Sequence, residues 1–269
     1  MTTTTVPTTI ATAIEPRTRT VKVAGLELKL RESGSGPPLL LLHRSTGVII
    51  WDTFEDQLAA NFTVIHPDLP GFGESDRPDW AREPRDLAII VGRLLEALDI
   101  EDVTLVGLGF GGFVAAELAT MNETRLESLV LVSPAGIKPR EGEIVDQMLI
   151  AHDDYVRRGL NNPSSFDARF GAELHPDVKD IWEFSRIMAA RITWSPYMFS
   201  RRLPHLLGVV KTPALIVWGD NDQIIPAIVS NQYAEGLANS TQEIISSAGH
   251  IVEWDQPEQL AVLITNHAS

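Results

Sequence analysis

The sequence predicts an α/β domain in which a mostly parallel central sheet is flanked by helices. Short continuous apolar runs with turn residues beside them are typical of strands that are buried on both faces. Segments with helical apolar spacing, such as residues 87–95, alternate with these runs and supply right-handed crossovers. A chain of 269 residues is long enough for one such domain. The predicted strands lie at residues 38–43, 62–66, 102–106, 128–132 and 214–218.

The start of the chain is rich in threonine and lacks the basic and apolar regions of a secretory signal. We therefore predict a flexible tail over residues 1–17. The next segment, residues 21–30, alternates between apolar and polar residues on both sides of a glycine turn. This alternation predicts a hairpin at an edge of the sheet.

One long interval, residues 136–210, interrupts the regular succession of strands and helices. It has no buried strand, only amphipathic helical pieces, and segments this long are rarely structureless inside a domain. We predict an inserted helical cap over the carboxyl ends of the strands, with the core at 18–135 and 211–269. The alternative is a set of extra helices packed beside the sheet. The interval carries many of the aromatic residues: Phe166, Phe170, Trp182, Trp194, Tyr197 and Phe199.

The composition limits the partners of the chain. Lys plus Arg is 22 and Asp plus Glu is 36, so the formal net charge is −14. Such a chain repels nucleic acid and anionic membrane surfaces, and no run approaches the ~18 apolar residues that span a bilayer. Without cysteine there is no disulfide, thiolate zinc site or cysteine nucleophile, and no other metal-ligand spacing occurs. We expect a cytoplasmic protein that acts on a small molecule and uses no metal or cofactor. Whether the chain forms a homodimer is left open.

A glycine-rich turn follows the strand at 102–106 and precedes a predicted helix. Residues 107–111 fit the pattern G-x-S-x-G, the nucleophile elbow of serine hydrolases, except that Gly109 stands where the pattern has serine. The glycines also fit G-x-G-x-x-G, a dinucleotide-binding pattern. That interpretation requires an acidic residue ~20 positions on, at the end of a second strand. Here the next strand ends in Ser133 and Pro134, so we reject it.

Three further motifs carry a resemblance to a known family. Residues 67–78 are similar to the glycine-rich loop after the fourth strand of the α/β-hydrolase superfamily. Residues 218–226 resemble the turn that carries the triad acid, and residues 248–250 resemble the loop with the triad histidine. The family order of nucleophile, acid and histidine is kept at positions 109, 222 and 250. From about Arg19 onward the chain thus resembles this superfamily, which implies the α/β-hydrolase fold.

The resemblance implies a base and its partner. His250 corresponds to the base and Asp222 to the carboxylate that orients it and stabilises the imidazolium. Asp220 lies two residues from Asp222 on the same turn and is the alternative acid. A structural role for the histidine, or a turn-capping role for either carboxylate, is the competing interpretation.

The family also implies an oxyanion hole made of two backbone N–H groups. One belongs to Phe110 and the other, by alignment, to Ser45 in the loop at 43–47. Relatives usually carry His-Gly at the start of this loop, whereas this chain has His43 and Arg44. Arg44 either reorients the loop or is a surface charge over the sheet edge. With Leu108, where relatives often have histidine, the site resembles a rebuilt natural pocket more than a single engineered change.

Four functions are compatible with this pattern, and we predict a cofactor-free hydrolase with an altered nucleophile site, in which Ser45 is the favoured replacement for the elbow serine. Ser45, or less favourably Thr46, could replace the elbow serine as nucleophile. Alternatively, His250 could activate a water molecule. A third option is a lyase, isomerase or carbon–carbon bond reaction, because a His–Asp pair with an oxyanion hole also stabilises an enolate. The loop 43–47 with Trp51 loosely resembles hydrolases of vinylogous diketones. The fourth is a non-catalytic ligand-binding protein, since the fold alone never proves chemistry.

The substrate is expected to be small or medium in size and largely apolar. We place His43, Arg44, Trp194 and Tyr197 in its pocket. Aromatic residues at helical spacing also commonly fill the core of a cap, and arginines commonly face water. If the substrate has an acidic group, the arginines of the predicted cap are available to pair with it: Arg186, Arg191, Arg201 and Arg202.

Overall fold

A sheet of eight strands runs through the described part of the chain, which comprises residues 15–48, 50–171 and 173–268 of this computed structural model. The strand order is β1-β2-β4-β3-β5-β6-β7-β8. The strands are β1 (Arg17–Val23), β2 (Leu26–Ser33), β3 (Pro38–Leu42), β4 (Thr63–Pro67), β5 (Val103–Leu108), β6 (Leu126–Val132), β7 (Ala214–Gly219) and β8 (Ser240–Ile245).

The apolar runs form the parallel centre of this sheet, as predicted. Strands β3 to β8 pair in parallel with one another, while β2 is antiparallel to both β4 and β1 and forms the predicted hairpin with β1 at one edge. The other edge strand, β8, was not predicted. Its residues are mostly exposed and polar, so it lacks the apolar run that marks a buried strand.

Helices cover both faces of the sheet because successive strand residues point to opposite sides. Leu40 and Leu42 of β3 pack into the core on the side of α2 (Pro84–Leu98) and α3 (Phe110–Ala119), whereas Leu39 and Leu41 pack on the side of α1 (Thr53–Ala59) and α10 (Pro257–His267). Helix α2 begins at a proline after a capping box at Glu83. The helices that flank the sheet are α1 (Thr53–Ala59), α2 (Pro84–Leu98), α3 (Phe110–Ala119), α8 (Ile228–Gly236), α9 (Val252–Asp255) and α10 (Pro257–His267).

The segment between β6 and β7 contains short helices and a core of its own. Trp182 lies at the centre of an aromatic cluster with His152 and Phe170. The boundaries of the predicted cap at 136–210 stay a prediction, and we call this segment the helical insert. Its helices are α4 (His152–Gly159), α5 (Ser165–Phe170), α6 (Pro176–Thr193) and α7 (Leu203–Leu206).

The predicted tail, residues 1–17, falls largely outside the described residues, and β1 begins at Arg17. No helix among the described residues is long and apolar enough to cross a bilayer. The cytoplasmic location stays a prediction.

Candidate active site

The turn between β5 and α3 places Gly109 at the carboxyl edge of the sheet. Its backbone has φ +50° and ψ −107°, a region that favours glycine. Two residues later, a Cβ atom on Gly111 would lie 2.2 Å from the carbonyl oxygen of Leu42, so only glycine lets α3 approach β3 this closely. The backbone of this turn therefore has the sharp geometry of the elbow pattern.

Asp222 and His250 meet beside this turn. The Nδ1 atom of His250 donates to Oδ2 of Asp222 over 2.9 Å, and both side chains are buried. The other oxygen of Asp222 accepts from the backbone N–H groups of Ile224 and Ile225 at 2.8 and 2.9 Å. A carboxylate held in this way fixes the histidine proton on Nδ1 and leaves Nε2 as an acceptor. Asp220 accepts instead from the backbone N–H of Ala248 over 3.4 Å, so the structure pairs Asp222 with the histidine.

The free nitrogen of His250 faces position 109. Its Nε2 atom is 3.3 Å from the point where a Cβ atom on Gly109 would lie. The Nη1 atom of Arg44 is 2.8 Å from the same point. An imidazole nitrogen and a guanidinium nitrogen thus both face the space above a residue that has no side chain.

Arg44 is buried rather than exposed. Only 5% of the residue is accessible, and its Nε and Nη2 atoms donate to the two carboxylate oxygens of Glu253 at 2.6 and 2.7 Å. This two-pronged contact orients the guanidinium plane firmly. The interpretation of Arg44 as a surface charge over the sheet edge is therefore wrong, because the side chain turns inward to the carboxylate of Glu253.

The loop that carries Arg44 is supported by His43. Its Nε2 atom accepts from the backbone N–H of Leu69 over 2.9 Å, so its proton lies on Nδ1, which donates to the carbonyl of Arg44 over 2.6 Å. Burial lowers the pKa of His43 to about 4, which keeps the ring neutral near pH 7. His43 thus braces the backbone of the loop with both ring nitrogens.

The two amides predicted to form an oxyanion hole belong to Phe110 and Ser45. Phe110 is the first residue of α3, so its N–H group has no partner within the helix. Ser45 lies on the loop across from it, and its hydroxyl donates to Oε1 of Gln147 over 3.1 Å. The hydroxyl of Tyr155 also lies within hydrogen-bonding reach of Ser45, and burial raises the pKa of Tyr155 to about 12. No hydrogen bond joins Ser45 to His250 among the described residues.

A cavity of about 10 Å³ lies between these groups, roughly the space that one water molecule needs. The sheet side of the cavity is formed by Arg44, Ser45, Phe110 and His250, which are all predicted site residues. The helical insert closes the opposite side. Its contributions are Ile144, Tyr155 and Met198.

Comparison with known proteins places this geometry in a family. The model of the Alpha/beta hydrolase family matches residues 39–263. The chain belongs to this family. The 2-hydroxymuconate semialdehyde hydrolase of Pseudomonas sp. (strain CF600) is 31% identical over 265 residues, which cover 90% of this chain and 89% of that protein.

Two further relatives agree. The 2-hydroxy-6-oxononadienedioate/2-hydroxy-6-oxononatrienedioate hydrolase of Paraburkholderia xenovorans (strain LB400) is 28% identical over 267 residues, which cover 90% of each chain. The structure of the meta-cleavage product hydrolase from Pseudomonas fluorescens IP01 superposes with a TM-score of 0.75 at 21% identity. That match covers 93% of this chain and 96% of the other. It supports the α/β-hydrolase fold.

The remaining predicted pocket residues of this α/β hydrolase lie elsewhere. His43 lines a second cavity of about 30 Å³ behind the loop, and Arg44 lines both that cavity and the one beside His250. Trp194 is 66% exposed and does not line the cavity beside His250. The hydroxyl of Tyr197 accepts from the backbone N–H of Gln147 and donates to the carbonyl of Val145, so it braces the insert.

Some groups at the site were not predicted from the sequence. Glu253 lies three positions after His250, but nothing in the sequence indicates a pairing with Arg44. Gln147 and Tyr155 belong to the helical insert, where neither residue stands in a recognisable motif. They are identified by their burial beside Ser45, which the structure shows and the sequence does not.

Proposed function

We propose that this chain is a cofactor-free hydrolase in which Gly109 replaces an elbow serine and His250 activates water. The substrate is a small, largely apolar molecule with a carbonyl beside the ester or carbon–carbon bond that breaks. The observation that carries the proposal is the aim of His250 Nε2 at the space above Gly109, with Asp222 bonded behind it. The relatives named as hydrolases of 2-hydroxymuconate semialdehyde and of 2-hydroxy-6-oxononadienedioate support the reaction class.

The proposed reaction needs no covalent intermediate. His250 Nε2 takes one proton from water as the water oxygen bonds to the carbonyl carbon. The negative charge that develops on the carbonyl oxygen is stabilised by the N–H groups of Phe110 and Ser45. The bond to the leaving oxygen or carbon then breaks, and the imidazolium returns the proton to that atom. Asp222 stabilises the imidazolium between the two transfers.

Ser45 is the second candidate for the nucleophile. Its side chain lines the same cavity as His250, which favours a covalent acyl-enzyme route. Its hydroxyl, however, is engaged by Gln147 and has no bond to His250. A serine attacks well only when a base removes its proton, so water is the better-supported nucleophile.

The test is a panel of small esters and vinylogous diketones assayed with matched variants. We expect His250→Gln to lower kcat on the order of 10³-fold, within the range for loss of a general base. His205, an exposed histidine in α7, provides the control, and His205→Gln should leave kcat unchanged. Ser45→Ala should cost less than about tenfold, since the backbone donor remains.

Three results would contradict the proposal. A burst of the first product, with a phosphonate probe attached to Ser45, would establish the covalent route. Proton exchange in a diketone, or its rearrangement to a product that has incorporated no water, would indicate a lyase or isomerase. An inert protein that still binds panel compounds tightly would indicate a ligand-binding member of the fold.

A further inference from the structure

The guanidinium of Arg44 has one nitrogen without a partner. Glu253 accepts hydrogen bonds from Nε and Nη2 at 2.6 and 2.7 Å, which leaves Nη1 as the remaining nitrogen of the group. Nη1 is buried and has no hydrogen-bond partner among the described residues. Buried polar atoms are seldom left unpaired in proteins, so we expect another group to complete Nη1.

This nitrogen and the free nitrogen of His250 face the same space. A Cβ atom on Gly109 would lie 2.8 Å from Nη1 and 3.3 Å from His250 Nε2. Since these two distances share an end point, the nitrogens lie at most about 6 Å apart. They are not bonded to each other, because Nη1 has no partner. A hydrogen bond to nitrogen is about 3 Å long, so one oxygen atom can contact two nitrogens at this separation.

The space between the two nitrogens suits a water molecule. The cavity that Arg44 and His250 both line has a volume of about 10 Å³, roughly the room that one water molecule needs. Nη1 can only donate a hydrogen bond, whereas Nε2 can only accept one, because Asp222 holds the histidine proton on Nδ1. Water accepts from the first nitrogen and donates to the second. A carboxylate has no proton to give to Nε2 and therefore does not match the pair.

We propose that Arg44 is a catalytic residue that holds the hydrolytic water through Nη1, so that the water directs one proton at His250 Nε2. The inference rests on the proposed function, in which this water is the nucleophile. As the proton moves to Nε2, negative charge develops on the water oxygen, and the guanidinium stabilises that charge. The second proton stays on the oxygen as it bonds to the carbonyl carbon. A guanidinium stays protonated in proteins, so Arg44 neither gives nor takes a proton in this step.

Gly109 and Glu253 both serve this role of Arg44. A Cβ atom at position 109 would lie against Nη1, so glycine leaves room for the guanidinium and the water together. Glu253 fixes the guanidinium plane through its two-pronged contact and thereby aims Nη1 at the elbow. Glu253 is therefore a positioning residue, whereas Arg44 contacts the reacting oxygen.

Arg44→Lys separates this role from support of the loop. Lysine keeps the positive charge that pairs with Glu253, but its single nitrogen cannot occupy the positions of both Nη2 and Nη1. With the ester panel, kcat should fall roughly 10²-fold, as for the loss of one preorganised donor, while KM stays within twofold. Arg85 pairs with the buried Glu117 over 2.8 Å and provides the matched control, so Arg85→Lys should keep kcat within twofold.

The products that form in the presence of hydroxylamine report on the water itself. Hydroxylamine attacks an ester as a neutral amine and gives a hydroxamate, whereas water gives the acid. Arg44→Lys removes the donor that holds the water, so the ratio of hydroxamate to acid should rise at least tenfold over that of the parent. A loss of loop support would slow both nucleophiles and leave the ratio unchanged. Reactions without enzyme give the background to subtract.

Two results would overturn the inference: a kcat of Arg44→Lys within threefold of the parent, or a lower kcat with an unchanged product ratio. If His250→Gln loses kcat as expected, either result leaves the proposed function standing, with the water held by other groups. An undiminished kcat in His250→Gln would instead refute the proposed function, and the role of Arg44 with it.

Discussion

The two sides of the cavity differ in how closely they follow the family pattern. On one side, His250 and Asp222 form the buried pair that the motifs imply, with Nδ1 bonded to the carboxylate over 2.9 Å. On the other side, Gly109 offers no side chain and Arg44 fills the adjoining space. The acid–base side keeps the family pattern and the nucleophile side departs from that pattern, so the two sides can change independently.

The largest effect should come from a change on the acid–base side. Asp222→Asn keeps the shape of the side chain but stabilises the wrong histidine tautomer, as the equivalent change does in serine proteases, so kcat should fall on the order of 10³-fold, no further than in His250→Gln. Asp220, two residues away, is the matched carboxylate. Asp220→Asn should change kcat less than threefold, and equal losses in the two variants would show that the pair does not drive turnover.

The next prediction addresses the nucleophile side. Gly109→Ser places a Cβ atom 2.8 Å from Arg44 Nη1 and in a strained backbone region that costs about 1–3 kcal/mol. The single variant should therefore react with a phosphonate probe no faster than the parent. Gly109→Ser combined with Arg44→Gly frees the space in front of His250, and labelling should accelerate by roughly 10²-fold or more.

Glu253→Gln is added only to the variant that lacks Arg44, so that no buried carboxylate is left without its arginine. Rapid labelling of the single Gly109→Ser protein would contradict the mutual dependence of positions 44 and 109. Labelling that persists after His250→Gln would show that the new serine does not use the retained base.

The sequence predicts one side of this site better than the other, for a physical reason. The buried strands are visible as apolar runs because each needs apolar residues on both faces, and they bring positions 109, 222 and 250 to one edge. The partner of Arg44 is 209 positions away, and no local pattern encodes such a pairing. Strand β8 was also not predicted, because its mostly exposed residues do not form an apolar run.

The loop at 43–47, on the nucleophile side, should also make the free energy of unfolding sensitive to acid. Burial lowers the pKa of His43 to about 4 from a usual value of 6.5, so its stabilising contribution is complete above pH 6.5 and is lost as pH falls through 4. Between pH 7 and 4.5 this single group should cost about 2 kcal/mol of unfolding free energy. Urea denaturation across that pH range, compared between the parent and a His43 variant, measures this loss, because burial also lowers the pKa of His66 and His152 and both contribute in either protein.

His43→Gln provides the comparison, since the amide still accepts a bond near Leu69 but does not titrate. The absolute stability of the variant is expected to be lower, so the slope with pH is the informative quantity. A slope identical to that of the parent would mean that the ring of His43 is not held neutral in the folded state.

The smallest effects concern the boundary of the pocket. Tyr155 lines the cavity and its hydroxyl lies within reach of Ser45, so Tyr155→Phe should raise KM a few-fold by loosening the loop that holds Arg44. Trp194 is 66% exposed, so Trp194→Ala should change KM less than twofold. The reverse order of effects would restore Trp194 to the substrate pocket and would require that the insert moves far enough on binding to bring this ring over the elbow.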